Sequence, residues 1–424
     1  MHAEITINGS ADPVARYVGW APVPAQVRLA NSAGAGPVAV TLRSRNTATG
    51  GQVEFYAAIP GTGQAELSLT LPAAGTPVDI FIAGKWGRPS SDDGDVAVDV
   101  IESATDQVIG SIPLMVRIRK DAMAMTNAER NRFRNAFARF NIDERYNDFR
   151  AAHVEISDFE MHKDAGFLPW HRAFLLDLER ELQGIDPSVA IPYWQWDRPA
   201  PAVFSPHFMG FTSQDPSATP AVRFSLTNPF QFWVTEGVPG IDRVSLFDTL
   251  TEKASSAIFG PIHTEAETLD LGEPGALYAQ FRTMEGNPHG GGHASFARGP
   301  SFVENPFTAP RDPLFFLLHA NVDRLWAKWQ WIKHRFDVTH PGTFEPADPP
   351  RRVGHNLEDT MWPWNGVTEL PRPPTAPGGT LAPSPLTNAP GPCPRVRDVI
   401  DYQGVHAPPD RLGYDYDDVP FQFV

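Results

Sequence analysis

Two stretches of the sequence decide the fold: residues 153–183, HVEISDFEMHKDAGFLPWHRAFLLDLERELQ, and residues 312–330, DPLFFLLHANVDRLWAKWQ. In the first stretch, apolar residues stand three, four, seven and eleven positions after His171. This spacing is that of one face of an α-helix. The pattern therefore predicts a helix that directs the imidazole of His171 toward a hydrophobic core.

A second helix is predicted just before this one. Tyr146, Phe149, His153 and Ile156 recur at helical spacing, so we expect them to share one face and His153 to point inward. His162 falls between the two predicted helices. We expect it in the loop that connects them.

The second stretch predicts another inward-facing histidine, His319. Asp312 is the expected N-cap of its helix, and Pro313 the expected first helical residue. Upstream, His289 and His293 are four residues apart, so both can reach one metal ion from one helical face. The three glycines between them disfavour a helix by about 1 kcal/mol each relative to alanine. A bound metal ion would stabilise the helical turn despite these glycines.

The histidines thus form two groups of three, with no cysteine and no obligatory carboxylate among them. The two groups are His153, His162 and His171, and His289, His293 and His319. Non-haem iron sites normally add a carboxylate, and zinc sites often add cysteine or a carboxylate. All-imidazole sites favour copper, so the pattern predicts two neighbouring copper ions that react with dioxygen.

These residues also carry a resemblance to a known family. The chain resembles the two copper signatures of the tyrosinase and catechol oxidase (polyphenol oxidase) family, the type-3 copper proteins, in the strings FLPWHRAFLLDLERELQ and APRDPLFFLLHANVDRLWAKWQ. The H-x3-H pair at His289 and His293 stands between them. The resemblance covers residues 117–424 and leaves the first hundred or so unexplained.

The resemblance implies a fold, a cofactor and a reaction. His153, His162 and His171 would bind the first of two copper ions, and His289, His293 and His319 the second. The family's four-helix bundle would surround this dinuclear centre. The implied activity is the oxidation of o-diphenols to o-quinones with dioxygen.

Three further residues of the implied site follow from the same resemblance. Glu285 occupies the place where plant relatives keep a glutamate that orders a water near the copper pair, so we expect a catalytic role for it. Gly290 and Ala294, each one residue after a ligand, are expected to line the substrate pocket and to leave its mouth open. Monophenol-hydroxylating relatives often have asparagine where this chain has Gly290, so hydroxylation of monophenols is doubtful here.

The rest of the chain predicts a multidomain protein of the α plus β class. Between residues 36 and 118, short alternating runs are separated by Gly, Pro and Asp turns, which is typical of an antiparallel β-sandwich. We therefore predict a sandwich domain of unknown role at 1–116 and a mainly α dicopper domain at 117–424. The latter would contain proline-rich coil at 341–410.

The resemblance also implies a closing Tyr-x-Tyr element at the end of the catalytic domain. The string LGYDYDD places this element at Tyr414 and Tyr416. The family pairs it with an early arginine. Arg117 and Arg119 are the two candidates.

Charge and hydropathy limit the partners and the location. The formal net charge of −15 argues against nucleic acid or an anionic membrane as a partner, and a small phenolic substrate with dioxygen is the expected pair. No basic start followed by an apolar run occurs near Met1, and no 18-residue apolar segment occurs. We expect a cytoplasmic protein, with export by a helper protein as an alternative.

Two functions from different classes fit a six-histidine copper pair. The first is a catechol oxidase. The second is a reversible dioxygen carrier like haemocyanin, which would give no quinone with catechol. A zinc hydrolase is a distant third, since the usual carboxylate ligand is missing.

Overall fold

The computed structural model describes residues 1–30, 36–345 and 352–423, which divide into two compact units. Unit 1 comprises Met1–Arg119, Ser384–Asn388 and Tyr402–Val424, and unit 2 comprises Lys120–Pro383 and Ala389–Asp401. The boundary predicted between residues 116 and 117 thus lies three residues from the observed one. Residues 31–35 of the predicted first domain, 346–351 of the predicted coil and residue 424 lie outside the described residues.

The assignment of all of 117–424 to the second domain was wrong, because two later segments belong to unit 1. One reason is a set of hydrogen bonds to Trp20. Its backbone N–H donates to Oδ2 of Asp415 at 2.7 Å, and its indole N–H donates to the Tyr416 carbonyl at 2.8 Å. These bonds fasten the last segment to the N-terminal strands.

The Tyr-x-Tyr element lies in this last segment and uses Arg119. The guanidinium of Arg119 lies 3.6 Å from the ring centroid of Tyr414, and its Nη1 donates to the Tyr416 hydroxyl at 3.0 Å. Arg117 instead lies over the ring of Tyr17. The tyrosine pair therefore closes unit 1, and not the unit that contains the histidines.

Unit 1 is built from two sheets. The strands are β1 His2–Ile7, β2 Tyr17–Val18, β3 Val23–Ala30, β4 Val38–Asn46, β5 Val53–Tyr56, β6 Glu66–Leu71, β7 Val78–Gly84, β8 Val96–Glu102 and β9 Gln107–Val116. One sheet has the order β1-β3-β7-β5 and the other β2-β9-β8-β4-β6. Adjacent strands are antiparallel, except that β2 pairs with β9 in parallel.

The two sheets of unit 1 share one hydrophobic core. Alternate residues of β3 are buried, as expected for a strand with one face toward a core. Val27 and Ile82 from the first sheet and Leu42 and Val98 from the second belong to one buried cluster. The alternating pattern thus predicted the β class of this unit, although β1, β2 and β3 precede the region it identified.

Unit 2 is mainly helical. Its α-helices are α1 Asn127–Ile142, α2 Tyr146–Ala152, α3 Asp158–Met161, α4 Phe167–Gln183, α5 Glu265–Leu269, α6 Tyr278–Phe281, α7 Gly291–Ala294 and α8 Leu314–Lys333. Two short ribbons accompany them, with strands Phe211–Thr212, Val222–Arg223, Val234–Thr235 and Val238–Pro239. Among the described helices, none is long and apolar enough to cross a membrane. In the described part of 341–410 there is no α-helix and no strand, in line with the predicted coil.

A buried ion pair links the two long helices α4 and α8. Nε of Arg172 donates to Oδ1 of Asp323 at 2.5 Å, and both side chains are at most 2% exposed. Nη1 of Arg172 also donates to the Gln330 side chain and to the Val399 and Ile400 carbonyls. This network fixes α4 against α8, and each of these helices carries one histidine of interest.

Candidate metal centre

The first histidine group comes from three consecutive helical segments. His153 directly follows α2, His162 directly follows α3, and His171 lies in the first turns of α4. One ring nitrogen from each lies within 4.8 Å of the other two. All three side chains are buried.

The helix predicted to carry His153 is shorter than expected. It ends at Ala152, and Ile156, placed by the prediction on its buried face, is 56% exposed. The hydroxyl of Ser157 accepts the N–H of Val154, and its single proton reaches either the Val154 carbonyl at 2.8 Å or the Ala152 carbonyl at 3.0 Å. These bonds stabilise the turn that ends the helix, and His153 points inward from that turn.

The second group comes from a short irregular helix and from α8. His289 lies in the π-helical turn Gly286–Gly290, His293 lies in α7, and His319 lies in the second turn of α8. Their ligand atoms are also within 4.8 Å of one another, and all three are buried. Asp312 caps α8 much as expected, since its Oδ1 accepts the N–H of Leu314 at 2.9 Å.

The two histidine triads face each other. The rings of His171 and His319 are stacked, with centroids 4.4 Å apart and planes 14° apart. His162 and His289 have centroids 6.4 Å apart. Six imidazoles therefore enclose one volume inside unit 2.

The outer nitrogens of four imidazoles are held by acceptors. Nδ1 of His171 lies 2.8 Å from the Phe167 carbonyl, and Nδ1 of His289 lies 2.7 Å from the Glu285 carbonyl. Nδ1 of His162 lies 3.0 Å from Oδ1 of Asp158, and Nδ1 of His293 is hydrogen-bonded to the Val303 carbonyl. A proton on Nδ1 leaves the lone pair of Nε2 free, which is the arrangement typical of metal-binding histidines.

The inner nitrogens fit a pair of ions. Nε2 of His153 lies 3.3 Å from Nε2 of His171, and Nε2 of His293 lies 3.2 Å from Nε2 of His319. Nε2 of His289 is buried and has no hydrogen-bond partner. Lone pairs that face each other in a buried space are satisfied by a shared cation, so the donor set fits two copper ions.

Burial favours the uncharged form of five of these imidazoles. It lowers the pKa of His153, His171, His289 and His319 well below the ordinary value and that of His293 to about 4. Neighbouring imidazoles add to this effect because protonating one would repel charge on the next. A neutral ring is the form that coordinates a metal.

Aromatic rings surround the triads on the protein side. Phe315 lies 4.1 Å from the ring of His319, and Phe167 lies 4.8 Å from the rings of both His171 and His289. These contacts fix the orientation of the imidazoles and exclude water from that side.

The other side of the centre opens into a pocket of about 660 Å³. Three of the histidines, His162, His289 and His293, form part of its wall. The remaining lining residues are Asp158, Lys163, Ile258, Phe259, Arg282, Thr283, Glu285, Gly286, Gly290, Ala294, Glu304 and Pro306. This volume lies within the range of small-molecule sites.

Glu285 lies in this pocket beside the first triad. Its Oε1 accepts the backbone N–H of Lys163 at 2.7 Å, and burial raises its pKa above the ordinary value. Lys163 follows His162 directly and has a positive φ of 68°. The bond thus ties the loop after His162 to the segment that carries His289.

Gly290 and Ala294 line the pocket as predicted, but Gly290 does not leave its mouth fully open. A Cβ atom at Gly290 would lie 3.0 Å from Cζ of Phe259. The ring of Phe259 therefore covers this position, and glycine leaves the space for that ring. Ala294 is 3% exposed and gives the pocket an apolar wall.

Sequence reasoning missed several pocket residues. Asp158 could have been found, because it stands four residues before His162, the spacing at which helical side chains meet. Phe259 and Ile258 could not, since they lie in a loop with no pattern of its own. The Ser256 hydroxyl accepts both of their backbone N–H groups at 3.1 Å and shapes the turn that presents them.

Comparisons with known proteins agree with this geometry. Residues 143–332 match the family model for the common central domain of tyrosinase. The chain is 30% identical to the tyrosinase of Streptomyces antibioticus over 271 residues, which are 59% of this chain and 94% of that protein. It is 33% identical to the tyrosinase of Streptomyces galbus over 275 residues, with coverage of 59% and 94%.

A haemocyanin unit is also similar. Unit D of the beta-C chain of Helix pomatia haemocyanin is 30% identical over 237 residues, which are 53% of each chain. The chain therefore belongs to the tyrosinase family and is a copper oxidoreductase, with two histidine triads that fit a dinuclear copper centre.

Proposed function

We propose that this protein oxidises o-diphenols to o-quinones with dioxygen as the electron acceptor. The main support for the proposal is that both triads contribute to the wall of an open pocket. His162 comes from the first triad, and His289 and His293 come from the second. A phenol that enters this pocket comes next to the metal ions. A centre that only binds dioxygen has no need of such a pocket.

The ligand roles are part of the proposal. His153, His162 and His171 would hold the first copper ion, and His289, His293 and His319 the second. When bound, the copper pair takes up electrons from the phenol and passes them to dioxygen. Two o-diphenols give two o-quinones, and one dioxygen with their four protons and four electrons gives two waters.

The chain itself orients the substrate and handles its protons. The ring of Phe259, 44% exposed, offers a flat apolar surface above Gly290 for the phenol ring. We propose that the Glu285 carboxylate accepts a phenol proton through a water molecule. Its fixed position supports this role, since the Lys163 N–H holds one of its oxygens.

We propose that o-diphenols are preferred over monophenols. Gly290 and Ala294 offer no polar side chain that could orient a water against Glu285. A monophenol must lose its only phenolic proton before it can be hydroxylated, whereas an o-diphenol brings two hydroxyl groups.

Two details of the architecture belong to the same proposal. The two sheets of unit 1 would form the predicted sandwich, because their buried faces contribute to one cluster. The four-helix bundle would consist of α2, α4, α7 and α8, of which α2 and α7 have only seven and four residues.

The reversible dioxygen carrier is the second candidate, favoured by the similarity to a haemocyanin unit. The copper-loaded full chain should be mixed with catechol and with a monophenol in separate assays. We expect quinone to form from catechol at once, and little or none to form from the monophenol. Reversible dioxygen binding without quinone would support the carrier.

Glu285→Gln tests the proton-accepting role. We expect catechol turnover to fall by about 100-fold, because a general base contributes a factor of that order. Glu304→Gln is the matched control, since Glu304 lines the same pocket and is also half-buried, and it should keep most of the activity. Equal effects of both substitutions, or none from Glu285→Gln, would contradict the role.

A further inference from the structure

We propose that unit 1 contains a second binding site, separate from the histidine triads, for a small molecule with an aromatic body and a carboxylate group. The site is a cavity of about 560 Å³. All of its lining residues belong to unit 1. It is independent of the proposed oxidation and assigns a function to unit 1.

The walls of the cavity are mostly apolar and rigid. They include four prolines and three phenylalanines, together with Ile59 and Val405. The full lining is Ala21, Pro22, Pro24, Ile59, Phe81, Thr387, Asn388, Gln403, Gly404, Val405, Pro408, Pro409, Arg411, Phe421 and Phe423. Proline rings and aromatic side chains form flat surfaces that lose little entropy when a ring packs on them.

Gln403 supplies a buried polar group without a full set of partners. Its side chain is 1% exposed, and its Nε2 donates to Oδ1 of Asp415 at 2.6 Å. Its Oε1 is buried and has no hydrogen-bond partner. An ionised Asp415 carboxylate can only accept, so it orients the amide with Nε2 toward Asp415 and leaves Oε1 available to a ligand.

Arg411 supplies a positive charge whose hydrogen-bond acceptors are all neutral, although the Asp415 carboxylate acts on it through space. Its guanidinium donates to the Pro22 carbonyl at 3.2 Å and to the Leu386 carbonyl and the Asn8 side chain at 3.3 Å. These acceptors are neutral and lie at the long end of the hydrogen-bond range. No ion pair in the described residues involves Arg411.

The exposed arginines of the same unit differ from Arg411. Arg28, Arg43 and Arg45 are 50–65% exposed, and each pairs with a carboxylate. Arg411 is less exposed, and burial lowers its pKa, yet a guanidinium stays protonated in proteins. A half-buried charge that hydrogen-bonds only to neutral acceptors is costly, and a carboxylate from a ligand would lower that cost.

These features together define the ligand. The positive charge of Arg411 favours an anionic ligand. Its planar guanidinium can donate two parallel hydrogen bonds to a carboxylate. The apolar walls select a ring and not a sugar or a free inorganic anion. Gln403 can form a further hydrogen bond to a polar substituent on the ring.

Calorimetric titration of the copper-loaded full chain with 3-phenylpropionate tests the proposal. We expect one binding site per chain in unit 1. Arg411→Gln should weaken binding by about tenfold or more, and Arg411→Lys should restore part of it, because lysine keeps the charge but not the fork. Arg28→Gln is the matched control, since Arg28 is an arginine of the same unit that already pairs with Glu4, and it should leave binding unchanged.

Two further variants keep the test decisive if Arg411→Gln fails to fold. Asn388 lies exposed on the cavity lining, so Asn388→Trp should fold and block the site. His293→Ala disrupts the metal centre and should retain the binding in unit 1. Loss of binding in His293→Ala with no effect of Asn388→Trp would mean that the probe binds only at the metal centre, and would overturn the proposal, as would no measurable binding at millimolar probe.

Discussion

His293 is the residue whose removal should show most clearly what the triads hold. Its Nδ1 faces the Val303 carbonyl and its Nε2 faces His319. In His293→Ala we expect copper to fall from two ions per chain to about one, because two remaining imidazoles bind an ion weakly. Catechol turnover should be lost.

Metal analysis of purified His293→Ala, with catechol assays, checks this expectation. His207→Ala is a suitable control, since His207 lies outside both triads. Full copper content and full activity in His293→Ala would contradict the assignment of this ligand.

Phe259 should affect substrate binding more than the chemical step. Its ring lines the pocket above Gly290 and carries no group that could transfer a proton or bind a metal ion. In Phe259→Ala we expect KM for catechol to rise about threefold to tenfold, which corresponds to the usual energy of one aromatic contact, while kcat stays near its original value. Steady-state kinetics measure both, and a large drop in kcat with unchanged KM would argue against a stacking role.

At the scale of single residues, the sequence identified the metal-binding histidines but not the pocket residues that lie in loops. His171, His319 and the pair His289 and His293 stand at spacings that place them on helix faces, so their inward direction could be predicted. Phe259 reaches the pocket from a loop whose path depends on the packing of unit 2. No local pattern reveals such a contact.

At the scale of elements, the buried pair of Arg172 and Asp323 should be needed to hold α4 against α8. Asp323→Ala would leave the Arg172 charge buried with fewer partners. We expect the free energy of unfolding to fall by about 3–5 kcal/mol. Asp143→Ala, which breaks the exposed pair with Arg139 on α1, should cost less than about 1 kcal/mol.

Urea denaturation of the two variants gives both free energies. A loss for Asp323→Ala as small as that for Asp143→Ala would show that the pair does not determine the packing of the two helices. The partner of Asp323 lies on α4, 151 positions away, and no pattern within one helix predicts it.

Other element boundaries could be predicted within a residue or two. The capping box of Thr126 and Glu129 is present at the start of α1, and Asp312 caps α8. The helix before His153 ended early because Ser157 bonds back to Ala152, which competes with a further helical turn. Hydrophobic spacing alone does not report such side-chain bonds.

At the scale of the whole molecule, the partly buried Asp177 makes stability depend on pH. Asp177 accepts hydrogen bonds from the Trp364 indole and the Ala382 N–H, and burial raises its pKa from 3.8 to about 6. A pKa higher in the folded state means that the folded protein binds the proton more tightly. The stability from this group is therefore fully present below about pH 4 and is lost as the pH rises through about 6.

Asp177→Asn isolates this contribution. Between pH 5 and pH 7.5 the wild-type protein should lose about 1 kcal/mol of stability relative to the variant. Denaturation curves at both pH values give the free energies of unfolding. For the exposed substitution Asp79→Asn, the difference in free energy from wild type should be the same at both pH values. The same difference at both pH values for Asp177→Asn would contradict the shifted pKa.

The division of the chain was predictable only in part. The change from alternating to helical spacing predicts a boundary after residue 116, three residues before the first segment of unit 1 ends. The return of the last segment to unit 1 depends on contacts of Asp415 and Tyr416 with Trp20, about 395 positions earlier. Such long-range hydrogen bonds leave no periodic pattern in the sequence.

The most direct test of the central claim is the ratio of quinone formed to dioxygen consumed when catechol is added to protein that carries two copper ions per chain. We expect sustained turnover with two quinones for each dioxygen, since each diphenol gives two electrons and dioxygen takes four. Dioxygen taken up once and released again on lowering its pressure, with no quinone formed, would contradict that claim.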